Sequence, residues 1–129
     1  MATLDLRKGL GDYPEYKGFK FPGGEVKIIL KKLTELLTSK SVKIIAKVNN
    51  SDELMLLLIT IHTLKQDGVK YLEVYFPYMP YQQDDAKFAL GESFGLKIIT
   101  DILNIMPVDK FTVFDPHSSV TPALLKNCK

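Results

Sequence analysis

The chain has 129 residues, 46% of them hydrophobic and 25% charged, the balance of one soluble globular domain with its own core. Its 17 basic and 15 acidic residues leave a formal charge of +2, too even for a surface built to hold nucleic acid or an anionic membrane. A single cysteine, Cys128, excludes an internal disulfide and fits a reducing cytoplasm, and no apolar run reaches the length of a signal peptide or a membrane span.

The predicted elements begin with a short strand around Thr3 to Leu6 and a turn-rich stretch from Gly9 to Gly18. Phe19-Lys20-Phe21-Pro22-Gly23-Gly24-Glu25 reads as a tight turn before a strand at Val26 to Leu30, together a small antiparallel flap. Lys31 to Lys40 is ambiguous, because Leu33, Leu36 and Leu37 have helical spacing in a short segment. From there the pattern turns regular. Val42 to Val48 is a strand, and Asn50 with Glu53 three residues on forms a reciprocal cap for a helix that runs to about Asp67 and stops at Gly68. Tyr71 to Phe76 is the next strand, followed by a polar loop from Pro77 to about Leu90. A helix from about Glu92 to Ile105 ends at Pro107. Lys110 to Phe114 is a further strand, Asp115 to Ser119 a loop, and Thr121 with Pro122 opens a last short helix. Strands alternating with helices predict an α/β domain, a three-layer arrangement around a parallel sheet with right-handed crossovers, with the flap beside it.

Ligands bind open parallel sheets beyond the carboxyl ends of the strands. Asn49 to Glu53, Pro77 to Leu90 and Asp115 to Ser119 occupy that edge, and all three are polar. Asp115 and His117, two apart after a strand, suit a divalent metal or a phosphate-bearing ligand; they equally suit a turn cap and a surface histidine. The tyrosines of Pro77-Tyr78-Met79-Pro80-Tyr81 either stack on a base or ribose or simply stiffen a loop packed on the sheet. The acidic pair Asp84-Asp85 either attracts a metal or is solvated. His62 lies mid-helix and reads as packed or surface. No glycine-rich phosphate loop and no nucleophile–base pair is present.

In their joint order and spacing, these segments resemble the ribose-phosphate diphosphokinase (PRPP synthetase) family. The matching pieces are Phe21 to Glu25 before a strand, Asn49-Asn50-Ser51-Asp52-Glu53-Leu54-Met55, Pro77 to Tyr81, Gly91-Glu92-Ser93 and Phe114-Asp115-Pro116-His117. The run from Asp115 to Leu125 most resembles a phage-type branch, whose setting would be the host cytoplasm.

The resemblance implies the N-terminal half of an enzyme of two similar domains, each with the fold of type I phosphoribosyltransferases. Such an enzyme transfers the β,γ-diphosphate of ATP to ribose 5-phosphate with Mg2+, at a site shared between subunits of a homo-oligomer. It further implies that Phe21 stacks on adenine and Glu25 helps to hold it in a neighbouring subunit, and that His117 and Asp115 face magnesium or the ATP phosphates. The family's Arg-Gln-Asp-Arg pattern falls on Gln83-Asp84-Asp85-Ala86, so Gln83, Asp84 and Asp85 take the phosphate-facing positions with only Asp85 retained. Replacing a fixed cation by Gln83 beside Asp84 weakens attraction for a polyphosphate. The ribose-phosphate loop of the family's second half has no counterpart here. The expectation is therefore that this half alone is inactive and needs a separate chain, or that it is a non-catalytic binding and oligomerisation module.

Overall fold

The computed structural model describes residues 1–81, 84, 86–114 and 124–126. Four parallel strands, β1 (Ala2–Asp5), β5 (Ser41–Ile45), β6 (Tyr71–Phe76) and β7 (Lys110–Val113), form one sheet in the order β1-β5-β6-β7. Three antiparallel strands, β2 (Gly11–Asp12), β3 (Tyr16–Lys20) and β4 (Val26–Leu30), form the flap. The helices are α1 (Leu33–Ser39), α2 (Ser51–Gln66) and α3 (Gly95–Ile105). The α/β architecture and the antiparallel flap are those the sequence predicts.

Register explains the core. Leu4 pairs with Ile44, Ile44 with Val74 and Val74 with Phe111, so one face of the sheet is a continuous apolar row whose residues are almost fully buried. Leu57, Ile61 and Leu64 of α2 and Leu96, Ile99 and Leu103 of α3 belong to the same buried cluster. The rings of Phe76 and Phe111 stack within it, centroids 6.4 Å apart. The alternate residues carry polar groups to the other face, where Glu73 accepts from Thr112 at 3.2 Å and sits 3.6 Å from the Lys110 ammonium.

The helix ends follow local chemistry. Asn50 Oδ1 accepts from the Glu53 amide at 2.9 Å, and Glu53 Oε1 reaches back to the Asn49 amide at 2.8 Å, one residue earlier than the usual reciprocal cap. At the other end Gly68 adopts φ +117°. The Gly68 and Val69 amides then close on the Lys65 and Leu64 carbonyls, the Schellman arrangement, with Val69 and Leu64 both buried. The ambiguous leucine segment is a helix of seven residues, too short to read from periodicity. It stops at Lys40 in the left-handed conformation, and the Lys40 carbonyl receives both the Lys70 and Tyr71 amides.

The first two flap strands and the start of α3 differ from expectation. α3 begins at Gly95, while β2 lies inside the stretch that reads as turns and β3 runs from it into the predicted tight turn, because glycine interrupts the alternation. Gly18 is there because the strand crosses α2 closely: a Cβ would stand 3.2 Å from Leu56 Cδ1 and 3.4 Å from Leu10 Cδ2.

Candidate functional site

The carboxyl ends of β5 and β6 open onto a crevice of about 360 Å3 lined by Val48, Asn49, Asn50, Ser51, Pro80 and Tyr81. Its first wall is the capped start of α2. Glu53 fixes this wall from behind by holding the Asn49 amide, and its carboxylate packs against Gly9 in the loop leaving β1. Gly9 has φ +73°, and the buried Tyr16 hydroxyl donates to its carbonyl at 2.6 Å. Burial raises the Tyr16 pKa, so the phenol stays protonated as the donor this contact requires.

The second wall comes from the loop after β6. Met79 and Pro80 are buried and anchor it, while Tyr78 and Tyr81 stand exposed. The segment is thus packed through Met79 and Pro80 while its two tyrosine rings are exposed. Tyr81 takes φ +62°, uncommon for a bulky residue and of the kind that binding loops retain under local constraint.

The flap tip is a separate feature. Phe21 donates its amide to the Glu25 carbonyl at 2.8 Å, and Gly24, at φ +92°, donates to the Phe21 carbonyl at 2.8 Å. Phe21 and Glu25 are both exposed, and neither lines the crevice. The Phe21 ring packs edge-on against Phe19, centroids 5.3 Å apart. Lys20 beside the tip pairs with Asp52 in the first turn of α2 at 3.1 Å, which ties the flap to the crevice wall.

A second depression, about 370 Å3, lies between β4 and α2, bordered by Val26, Ile28, Leu58, Ile59, Lys27, His62 and Thr63. It is mainly aliphatic and sits away from the strand ends, so the edge crevice is the stronger candidate for chemistry. His62 is an exposed residue of this depression, as its mid-helix position suggests.

A comparison with protein families decides the relationship. The family described as the N-terminal domain of ribose phosphate pyrophosphokinase matches residues 13–106. The chain belongs to this family. It is 35% identical over 66 residues to a ribose-phosphate pyrophosphokinase of Methanobrevibacter smithii, covering 51% of this chain and 22% of that protein. It is 26% identical over 102 residues to ribose-phosphate pyrophosphokinase 1 of Streptococcus pneumoniae, covering 78% of this chain and 31% of that one. The chain thus spans about a third or less of these relatives. The fold is that of the phosphoribosylpyrophosphate synthetase of Mycobacterium smegmatis, with a TM-score of 0.70 and 20% identity over 88% of this chain and 38% of the other.

Within this pyrophosphokinase N-terminal domain, Asp84 is the acidic residue of the Gln83–Asp85 segment whose surroundings are defined. Its Oδ2 accepts from Ser93 Oγ and from the Gly95 amide, each at 2.7 Å, and its carbonyl accepts from Leu96 at 2.9 Å. The carboxylate caps α3 from eleven residues away. Gln83, Asp85, Asp115, His117 and the last predicted helix's Thr121-Pro122 start lie outside the described residues, as does Cys128. Among the described residues no group of three or more His, Cys, Asp or Glu side chains is placed to hold a metal. No described helix is long and apolar enough to cross a membrane.

Sequence reasoning missed two features of the site. The packing of Glu53 on the β1 loop had no signal beyond a glycine in a turn-rich stretch. The remote cap was hidden because an aspartate beside a second aspartate reads as solvated or metal-seeking.

Proposed function

We propose that this chain is the ATP-side and oligomerisation domain of a ribose-phosphate diphosphokinase of the phage-type branch, working in the cytoplasm of a host cell. Its reaction would be attack by the anomeric hydroxyl of ribose 5-phosphate on the β-phosphorus of ATP, giving PRPP and AMP. The observation that carries this reading is the crevice at the carboxyl edge of the parallel sheet, walled by Asn49 to Ser51 and Tyr81, in a chain matched by the family over residues 13–106. In the reading, Phe21 and Glu25 at the exposed flap tip meet the adenine of a neighbouring subunit, and Gln83 and Asp85 face the phosphates while Asp84 between them is bound to the start of α3. Magnesium enters with ATP as Mg-ATP, neutralising the diphosphate, and Asp115 with His117 approach it.

Diphosphate transfer is mainly positioning and charge neutralisation, so both substrates must be held in line. The chain corresponds to the N-terminal domain of its relatives, and in this reading a partner chain supplies the ribose-phosphate side. Incubation of the purified chain with Mg-ATP and ribose 5-phosphate should yield no AMP, and addition of a chain carrying the C-terminal half should yield AMP and PRPP together. AMP and PRPP from the chain alone would refute the dependence on a second half.

The alternative is a non-catalytic homologue that binds and self-associates. The engagement of Asp84 with α3, together with Gln83 and Ala86 at the family's arginine positions, favours it. Self-association with no measurable Mg-ATP affinity would select this alternative.

A further inference from the structure

We infer that Asp84 is a positioning residue, which ties Tyr81 to the start of α3 and thereby sets the Tyr81 wall of the crevice. As far as nucleotide binding is concerned, the inference rests on the ATP-side reading given above. α3 lacks a local cap: Phe94 occupies the N-cap position and its side chain has no oxygen to offer the first amides. Asp84 supplies that acceptor from outside the helix, through Oδ2 to the Gly95 amide and the Ser93 hydroxyl, while its own carbonyl takes the Leu96 amide. A carboxylate here also meets the positive end of the helix dipole.

The same residue is tied backwards. The Asp84 amide donates to the Tyr81 carbonyl at 3.1 Å, and Tyr81 is the residue held at φ +62° on the crevice wall. Gly95 completes the arrangement by being small. A Cβ on Gly95 would stand 2.7 Å from Asp84 Oδ2 and 2.8 Å from Tyr81 Cδ1, so α3, Asp84 and the Tyr81 ring meet at one point with room only for glycine. Gly95 itself needs no left-handed backbone, which makes close approach the reason for the glycine. An oxygen spent on bonds from the Ser93 hydroxyl and the first amide of α3 is a poor candidate for first contact with a polyphosphate. Its influence on a ligand runs through the placement of Tyr81.

The test uses the full chain and three variants: Asp84→Ala, Asp84→Asn, which keeps one acceptor oxygen, and Gly95→Ala. Loop anchoring is read by trypsin cleavage after the exposed Lys87 under native conditions, and ligand placement by Mg-ATP affinity in calorimetry. Asp84→Ala should raise the Lys87 cleavage rate about tenfold, the change that loss of one helix cap implies. It should weaken Mg-ATP in parallel, with Asp84→Asn recovering part of both. Gly95→Ala should act like Asp84→Ala even though alanine is the better helix former; if helix propensity alone mattered it would slow cleavage. Weaker Mg-ATP binding with unchanged cleavage would make Asp84 a direct ligand and overturn the inference. Faster cleavage with unchanged affinity would also overturn it, since the anchored loop would then not shape the site. If the unaltered chain binds no nucleotide, the ATP-side reading falls instead, and the cleavage rates alone decide whether Asp84 anchors the loop.

Discussion

Gly9→Ala tests whether the crevice wall depends on the loop that leaves β1. Two costs combine at this buried glycine. Its φ of +73° is left-handed, which for alanine costs about 1 kcal/mol. A Cβ there would also overlap Glu53 Oε2, forcing the carboxylate to move. That movement breaks the 2.8 Å bond from the Asn49 amide to Glu53, worth about 1 kcal/mol net. The expected loss is therefore about 2 kcal/mol, read as a lower midpoint in urea denaturation with an unchanged slope. A double-mutant cycle with Glu53→Ala separates the terms. In that background the overlap is gone, and Gly9→Ala should cost only the backbone term, about 1 kcal/mol. An equal cost in both backgrounds would refute the claim that Gly9 supports the Asn49 to Ser51 wall through Glu53.

Three further expectations can be checked directly. At Asp109, burial pushes the carboxyl pKa upward but is outweighed by the Lys65 ammonium and the Leu72 amide, leaving it below the usual carboxylate value. A depressed folded pKa contributes stability above the unfolded value, lost as pH falls through the folded one, so thermal midpoints should drop below about pH 4. With 40% of the Asp109 side chain exposed, the solvent-screened contribution stays below about 1 kcal/mol, and Asp109→Asn should flatten that acid limb; superimposable profiles would refute the assignment. Gln83→Arg should raise Mg-ATP affinity about tenfold if Gln83 faces the phosphates, and an unchanged calorimetric constant would place the loop differently. Ser51→Asp adds a charge at a crevice-lining position that favours acidic residues for the helix, so the fold should hold. Mg-ATP affinity should then change by less than about threefold, and a larger loss would place the polyphosphate in the crevice, since charges about 4 Å apart exchange about 1–4 kcal/mol.

Much of the fold was legible because its signals are local. β6 was read at its observed bounds, and α2 was bracketed by an asparagine cap and a glycine stop whose hydrogen bonds are those the residue types require. β3 was not legible, since Gly18 reads as a turn residue until α2 is known to pass beneath it. The sequence puts the start of α3 at about Glu92, three residues before the observed Gly95. Nothing within the segment marks Gly95 as the first turn; the capping oxygen comes from Asp84, distant in sequence. At the site, the position of the crevice followed from strand ends alone, whereas the coupling of its two walls to Gly9 and to Gly95 depends on contacts between segments that no spacing reveals.

The walls also constrain which part of a nucleotide the crevice could take. Asn49, Asn50, Ser51 and Tyr81 are neutral hydrogen-bonding groups, and Val48 and Pro80 are apolar. The start of α2, which in another protein would attract an anion, is already compensated. Asp52 and Glu53 stand in its first turn, the Glu53 amide is taken by Asn50, and the Glu53 carboxylate occupies the Asn49 amide. Added phosphate charge there would come close to the Asp52 and Glu53 carboxylates. Such a surface suits hydroxyls and an aromatic ring, the ribose or base of a nucleotide, better than its phosphates. In the proposed reading the polyphosphate therefore belongs with magnesium beside residues 82–85 and 115–119, with the crevice holding the uncharged end. The absence of the family's arginines at Gln83 and Ala86 then bears on the phosphates alone, and affinity for the nucleoside portion should survive where affinity for the triphosphate is weak.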